Sequence, residues 1–393
     1  MIKALPAEAR PASVSSLPDL DYTSSNLIFT LSCAADAALV ALALVWALGH
    51  ERRWPAVAVA LALTAVAAVL ALKGVAMIAT GLRVPFGVMH VLWLDLVIVV
   101  PLMGVCLLVL GRQRLPRAIL ALVAVLMLPL APIGAYASFV EPERLTTERA
   151  TLAVSPDRKG KAPLRIAVLA DLQFERVGRH EREAVRRAMR ERPDVILMAG
   201  DYHQGPRRSL NRQLPAIRAL LGSLSAPGGV YAVQGDCDLI PETRRITAGT
   251  RVKVLVNRAL TARVRDRTVT IAGVELAYRS PGARAAARRL ERASGKDDVR
   301  ILLAHRPDVV FGLAPQTRVD LTVAGHTHGG QVQLPLVGPL TIGSRVPRAA
   351  GAGGMHSLDG RSLYVSRGIG VERNQAPKLR LGAVPEVSLI TLR

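Results

Sequence analysis

The chain has 393 residues, of which 50% are hydrophobic and only 4% aromatic, and it carries a formal net charge of +21. This length allows two or three modules with a sizeable core. The charge indicates an anionic partner, but the shortage of aromatic side chains argues against stacking on single-stranded nucleic acid. The three cysteines, Cys33, Cys106 and Cys237, do not indicate a disulfide framework.

The first third of the chain is unusually apolar, and it raises the mean hydropathy to +0.30. Residues 1–26 form a polar tail without the apolar core of a cleavable signal peptide. Four apolar segments follow, at about 27–49, 55–80, 88–110 and 118–139, and each has about the 20 residues that a bilayer-spanning helix needs. Because short basic loops separate them, buried helices of a soluble protein are the weaker interpretation. We therefore predict a four-span, multi-pass cell-membrane region over residues 27–140.

The positions of lysine and arginine predict the orientation of these spans. Basic residues in short loops favour the cytoplasmic side. Five arginines follow the first and third spans, whereas three basic residues flank the other side: Arg52, Arg53, Arg112, Arg114 and Arg117 against Lys3, Arg10 and Arg83. The region 141–393 is therefore expected to be extracytoplasmic.

Region 141–393 is strongly basic, with 42 Lys and Arg against 24 Asp and Glu, so +18 of the net charge of +21 lies there. Two segments dense with arginine, 180–192 and 283–292, are predicted helices. A short tether, 154–161, is predicted after the last span, so the region is expected close to the bilayer. Membrane lipids with anionic head groups are then the nearest partner, and no nucleic acid is expected. The alternative is that the arginines only fill solvated faces.

Five predicted strands in this region end in residues that can bind metals. The apolar segments 164–170, 194–199, 230–234, 299–304 and 319–324 are followed closely by polar residues. Those residues are, in the same order, Asp171, Asp201, Asp236, His305 and the pair His326 and His328. Because open α/β sheets build their sites beyond the carboxyl ends of their strands, the sequence predicts that these side chains meet in one crevice.

Three carboxylates in one crevice raise one another's pKa values, and cations remove this repulsion. Mixed Asp and His donors suit Mn, Fe or Zn better than Ca. Three carboxylates and three imidazoles exceed what one ion needs, so two divalent ions are predicted. Two metals about 3.5–4 Å apart polarise a phosphoryl group and generate hydroxide at neutral pH. For His326 and His328 taken alone, a chance pair of surface histidines is the alternative.

These blocks resemble the calcineurin-like metallophosphoesterase family, in the same order along the chain. The motifs are Asp171-x-Gln173, Gly200-Asp201, Gly235-Asp236-Cys237-Asp238, His305 and Gly325-His326-Thr327-His328. Residues 364–370 and 385–392 are similar to the membrane-attached bacterial branch of that family. Segments 252–256, 260–264 and 268–274 predict strands of a second sheet. The α/β domain over 141–393 is thus expected as a two-sheet sandwich flanked by helices, which the resemblance also implies.

The resemblance further implies roles for individual residues. The first metal would be held by Asp171, Gln173, Asp201 and His328, and the second by Asp201 as a bridge with Asp236, His305 and His326. Cys237 would lie beside the scissile phosphate, where the family has a histidine that stabilises or protonates the leaving oxygen. Asp238 is a further candidate catalytic residue.

Three positions depart from the family pattern: Gln173 and Cys237 each stand for histidine, and Asp236 stands for asparagine. A glutamine carbonyl is a neutral and weaker ligand than imidazole, so the first position is expected to bind metal less tightly. The added charge of Asp236 is expected to tighten the second position. A thiol cannot replace imidazolium, and loss of a general acid typically slows a reaction about 10²–10⁴-fold.

The sequence thus predicts a membrane-anchored, metal-dependent phosphoesterase. Metal-bound hydroxide would attack a phosphomonoester or phosphodiester in line. The phosphorylated substrate is expected to be lipid-linked, because the site cannot travel far from the bilayer. The alternative is a non-catalytic membrane protein whose degenerate phosphoesterase domain binds a phosphate ligand or a partner.

Overall fold

The computed structural model describes residues 22–49, 86–113, 115–158, 160, 162–292, 298–373 and 376–393. Most of the predicted polar tail and the whole second predicted span, 55–80, lie outside the described residues. The described parts form a set of apolar helices followed by two six-stranded sheets.

The apolar helices occupy the first, third and fourth predicted spans. The first span is the helix Tyr22–Gly49. The third contains Phe86–Leu94, which continues through a π turn at Asp95–Val99 into Val100–Gly111. The fourth contains Arg117–Leu126, Leu130–Ala135 and the π turn Tyr136–Val140, and a 3-10 turn at Glu141–Glu143 follows it. Among the described residues, two stretches are long and apolar enough to cross a bilayer, Met89–Val109 and Arg117–Glu143. The count of four spans stays a prediction.

The first strand, β1 (Thr146–Leu152), follows the last 3-10 turn almost directly and pairs in parallel with β14 (Glu386–Leu392). The predicted tether, 154–161, therefore lies after the first strand, and its expected place between the last helix and the domain was wrong. β1 is an edge strand with partly exposed side chains. Its alternation of Thr, Glu and Arg has too few apolar residues to show as a strand.

The first sheet has the strand order β1-β14-β2-β3-β4-β5. Strands β2 (Leu164–Leu169), β3 (Val195–Met198) and β4 (Val230–Ala232) lie inside this sheet, and β5 (Val252–Val254) forms the edge opposite β1. Strands β2 to β5 run parallel, and β14 runs antiparallel to β2. Parallel neighbours need long crossovers, which here contain the helices Arg179–Arg190, Arg207–Gly222 and Ile240–Thr247.

The second sheet has the strand order β12-β13-β9-β8-β7-β6. Its strands are β6 (Arg258–Val264), β7 (Arg267–Gly273), β8 (Val299–Leu303), β9 (Leu321–Ala324), β12 (Gly354–Leu358) and β13 (Arg361–Val365). Two of the three segments predicted for this sheet are its strands β6 and β7. The third segment, 252–256, is β5 and pairs with β4, so its assignment to the second sheet was wrong. The helix between β4 and β5 returns the chain to the first sheet. The chain passes to the second sheet only after Asn257, where the backbone turns with a φ of 50°.

Alternate side chains of each inner strand face opposite layers, as the period of a β-strand requires. In β2, Ile166 and Val168 face a core between the two sheets. Ala167 and Leu169 face a second core between the first sheet and its helices. The helix Pro281–Glu291 covers the outer face of the second sheet over a third core. The predicted sandwich of two sheets flanked by helices is thereby confirmed.

The carboxyl ends of β2, β3 and β4 in the first sheet and of β8 and β9 in the second meet at one end of the sandwich. Within the first sheet, the Asp171 N–H donates to the Gly200 carbonyl at 3.1 Å. Within the second, the Gly325 N–H donates to the His305 carbonyl at 3.0 Å. Across the two sheets, the His326 N–H donates to both carboxylate oxygens of Asp171, at 3.0 and 3.1 Å. This end of the sandwich therefore holds the predicted site.

Between β9 and β12 the chain forms a small hairpin outside both sheets. The hairpin pairs β10 (Gln333–Leu334) with β11 (Gly338–Pro339) and is followed by the short helix Arg348–Gly351. Its tip is apolar and exposed to solvent.

Candidate metal centre

The structure brings five of the six predicted acidic and imidazole side chains together in two overlapping groups, and His328 belongs to neither group. One contains Asp171, Asp201 and His305, all buried, and the other contains Asp236, His305 and His326. In each group the potential ligand atoms lie within 4.8 Å of one another. Because His305 belongs to both, the two groups form one continuous centre.

The predicted ligands of the second metal include Asp236 and two histidines, which lie close together. Oδ2 of Asp236 lies 3.2 Å from Nε2 of His305 and 2.8 Å from Nδ1 of His326. The opposite ring nitrogens are 2.8 Å from the Ala199 carbonyl and 3.1 Å from the Gly343 carbonyl, to which each can donate. Those bonds leave lone pairs on the two nitrogens that face the carboxylate, an arrangement that histidine ligands adopt around a metal.

The predicted ligands of the first metal include Asp171, Asp201 and His328. Oδ1 of Asp201 accepts a hydrogen bond from the Cys237 N–H at 2.8 Å, and its Oδ2 lies 3.5 Å from Nε2 of His305. Nδ1 of His328 accepts from the Arg380 guanidinium at 2.9 Å, so the neutral ring carries its hydrogen on Nε2, and the role of His328 as a metal ligand stays a prediction. All three predicted ligands are buried.

Gln173 lies within the same position, fully buried. Its Nε2 is 3.1 Å from Oδ2 of Asp201, 3.7 Å from the Cys237 sulfur and 3.1 Å from Oε2 of Glu372. Sequence reasoning missed Glu372, which follows no predicted strand. The sequence indicates Glu372 only weakly, because it stands two residues after the motif 364–370. In the structure it contacts Gln173, the position where the family has a histidine ligand.

The two candidate catalytic residues lie differently. Cys237 is half-buried beside Gln173, and burial, together with the Asp201 carboxylate, raises the pKa of its thiol far above its ordinary value. Asp238 is buried and turned into its own loop, where it accepts from the Tyr202 N–H at 2.5 Å and from the Thr243 hydroxyl at 3.1 Å. These contacts give Asp238 a structural task, and its catalytic role stays a prediction.

The pKa shifts of the buried groups and the unpaired buried atoms show how well a divalent cation fits this centre. Burial raises the pKa of Asp171 to about 7. Burial alone would lower the pKa of His305, but Asp201 and the other carboxylates outweigh it and raise this pKa to about 10. Among the described buried atoms of this centre, Oε1 of Gln173 has no hydrogen-bond partner. Crowded carboxylates beside imidazoles and an unpaired amide oxygen fit a transition-metal ion.

The backbone of the centre is held in an uncommon conformation. Five of the predicted ligands have positive φ, namely Asp171 (48°), Gln173 (40°), Asp201 (56°), His326 (73°) and His328 (51°). Such strain in residues other than glycine collects at functional sites. Gly235 allows the loops to approach, because a Cβ there would lie 2.0 Å from Oδ1 of Asp201.

A sandwich that brings carboxylates and imidazoles from five strand ends into one metal-fitting pocket has the architecture of a metallophosphoesterase. The family model described as calcineurin-like phosphoesterase matches residues 164–330. Phosphodiesterase YaeI of Escherichia coli is 30% identical over 268 residues, covering 65% of this chain and 92% of that protein. The uncharacterized metallophosphoesterase YkuE of Bacillus subtilis is 28% identical over 267 residues, covering 66% and 89%.

The chain belongs to the calcineurin-like metallophosphoesterase family. Bacterial relatives match most of their own length to it. Membership of the membrane-attached branch stays a prediction.

Adding Mn²⁺ is expected to stabilise the folded protein, because the ion binds the assembled centre and not the unfolded chain. At a hundred times the Kd, the gain is about 2.7 kcal/mol, or about 5–10 °C in Tm for a domain of this size. Thermal unfolding of the full chain in detergent, with Mn²⁺ and with EDTA, measures the difference. His305→Ala is expected to shrink it, whereas His356→Ala, outside the donor set, is expected to leave it unchanged. An equal shift in His305→Ala would contradict the assignment.

Proposed function

We propose that the protein is a membrane-anchored, metal-dependent phosphoesterase that hydrolyses a phosphomonoester or phosphodiester, with a lipid-linked substrate. The observation that carries the phosphoesterase part is the meeting of Asp171, Asp201, Asp236, His305, His326 and His328 at one end of the sandwich. YaeI bears the name phosphodiesterase, which favours a diester here as well.

Two divalent ions held by these side chains would polarise the phosphoryl oxygens and lower the pKa of a water molecule. The protein's own groups do the positioning. Arg306 lies at the mouth of the pocket, half-exposed, and its guanidinium is paired with Asp236. Guanidinium groups bind phosphate oxygens in a two-pronged fashion, so Arg306 is suited to orient the substrate.

Leaving-group assistance is the weak part of this centre. Cys237 occupies the position of the family's histidine, and a thiol is a poor hydrogen-bond donor. We therefore expect substrates with good leaving groups, such as p-nitrophenolate, to react fastest. The same substitution favours the second candidate function, a non-catalytic protein that binds a phosphate ligand or partner.

Hydrolysis of bis-p-nitrophenyl phosphate with added Mn²⁺ separates the two functions. The full chain is expected to turn over this diester. His326→Ala is expected to lower kcat/KM about 10²-fold or more, because metal ions supply several kcal/mol of transition-state stabilisation. The matched control His356→Ala is expected to retain activity. Metal-loaded protein that hydrolyses neither this diester nor p-nitrophenyl phosphate would exclude the enzyme and leave the binding function.

Membrane anchoring is supported by the apolar surface of the N-terminal helices. Leu42, Val125 and Phe139 are 70%, 69% and 78% exposed, although each belongs to a helix dominated by apolar residues. Exposed apolar surface of this extent favours lipid contact. The orientation with the catalytic domain outside the cytoplasm rests on the arginine count of the loops.

One segment connects the last apolar helix to both the hairpin and the metal centre. The Arg380 N–H donates to the Ala137 carbonyl at 2.9 Å, and its guanidinium donates to the His328 carbonyl at 2.6 Å. The next residue, Leu381, accepts from the Gln333 N–H at the base of the hairpin at 2.7 Å. The end of the last apolar helix, the hairpin and the centre are therefore neighbours.

The hairpin has the composition of a lipid-contacting loop. Leu336 is fully exposed, Val337 and Leu340 are 56% and 55% exposed, and the exposed arginines 345 and 348 follow. An apolar tip beside basic residues suits insertion among anionic head groups. Because the hairpin begins five residues after His328, its insertion would bring the pocket to the bilayer surface.

Charging the hairpin tip is expected to separate lipid-linked from soluble substrates. In protein reconstituted into anionic vesicles, Leu336→Asp with Val337→Asp should slow hydrolysis of a vesicle-embedded nitrophenyl phospholipid at least about tenfold, since each buried side chain contributes roughly 1.5–3 kcal/mol. Hydrolysis of soluble bis-p-nitrophenyl phosphate should stay unchanged. The matched variant Leu336→Phe with Val337→Phe keeps the tip apolar and should retain both rates. If the charged variant hydrolysed both the vesicle-embedded and the soluble substrate at the wild-type rates, a lipid-docking role would be excluded.

A further inference from the structure

Arg306 holds the carboxylate of Asp236 from the outer side of the pocket. Its Nε donates to Oδ2 of Asp236 at 3.1 Å, and its Nη2 donates to Oδ1. Two bonds between one guanidinium and one carboxylate fix the plane of the carboxylate as well as its place. Because Arg306 directly follows His305, the loop after β8 supplies both an imidazole of the centre and the group that orients the carboxylate beside it.

The two oxygens of Asp236 therefore have different surroundings. Oδ2 lies 2.8 Å from Nδ1 of His326 and 3.2 Å from Nε2 of His305, within the group of possible metal ligands that these three residues form. Oδ1 accepts from Nη2 of Arg306. A cation held by the two imidazoles would thus meet the carboxylate through Oδ2, which is the oxygen that faces them.

The ion pair also changes the charge of this position. The Arg306 side chain is 46% exposed and that of Asp236 is 26% exposed, so the pair lies at the rim of the centre. Together the two side chains carry no net charge, with oxygen toward the imidazoles and N–H groups toward solvent. An asparagine at position 236 would offer the same outline, namely one oxygen, one NH₂ group and no charge. The affinity for metal that the charge of Asp236 alone would add is therefore offset by Arg306.

We propose that Arg306 is a positioning residue of the second metal position, which turns Oδ2 of Asp236 toward the imidazoles and cancels the charge of this carboxylate. The proposal rests on the metal centre of the proposed function. The fork that binds Asp236 uses Nε and Nη2, so Nη1 lies on the other side of the planar guanidinium. One arginine thereby serves the metal through one edge and a substrate phosphate through the other.

Equilibrium dialysis of the full chain in detergent against Mn²⁺ tests this role, because it measures metal binding and not turnover. The Kd that His326→Ala removes belongs to the second position. Arg306→Gln is expected to lower this Kd about tenfold, because a cation no longer repels the ion. Arg306→Lys keeps the positive charge and is expected to leave the Kd within about threefold of the wild type. Arg284→Gln, an exposed arginine on the helix Pro281–Glu291, is the matched control and is expected to change nothing.

The decisive measurement is a double-variant cycle with position 236. Asp236→Asn alone is expected to raise the Kd about tenfold or more, since it leaves an unpaired guanidinium beside the ion. Asp236→Asn combined with Arg306→Gln is expected to return the Kd to within about threefold of the wild type. An unchanged or higher Kd in Arg306→Gln, or a double variant that binds as weakly as Asp236→Asn, would overturn the proposal. A wild-type protein that binds no Mn²⁺ would instead contradict the metal centre itself, so the two failures are distinguishable.

Discussion

Mutual repulsion among buried carboxylates is the constraint on which the end of this sandwich depends. Asp171 and Asp201 are buried, Asp236 is partly buried, and the Glu372 carboxylate lies nearby. Such charges persist together only with a compensating cation or with protons. The imidazole of His305, whose pKa is raised to about 10 between these groups, reports the strength of their combined field.

The fold supports this unfavourable cluster through its loops. Each predicted ligand follows a buried strand that packs against a hydrophobic core on both of its faces. The strained backbone after the strand therefore cannot relax without disturbing both cores. Hydrogen bonds between the loops also hold the centre together. The bond from the His326 N–H to Asp171 joins the two sheets, and Gly235 lets a third loop reach Asp201.

Sequence reasoning located the strands that carry ligands because each is an apolar run that ends in a polar residue. It did not recognise β1, whose polar edge position hides its period, and it put segment 252–256 in the wrong sheet, because strand propensity does not encode pairing. Glu372 escaped because its loop follows no comparable run. It accepts a hydrogen bond from Gln173, from which it is separated by nearly two hundred residues, so no local sequence pattern indicates the contact. The transmembrane count depends on segment 55–80, which lies outside the described residues.

Anomalous diffraction from crystals of the Mn²⁺-loaded protein tests the central claim most directly. The account predicts two anomalous peaks at the end of the sandwich, one enclosed by Asp236, His305 and His326 and the other by Asp171, Asp201 and His328. Peaks elsewhere, or none at this end under saturating Mn²⁺, would contradict the idea that cations hold these side chains together.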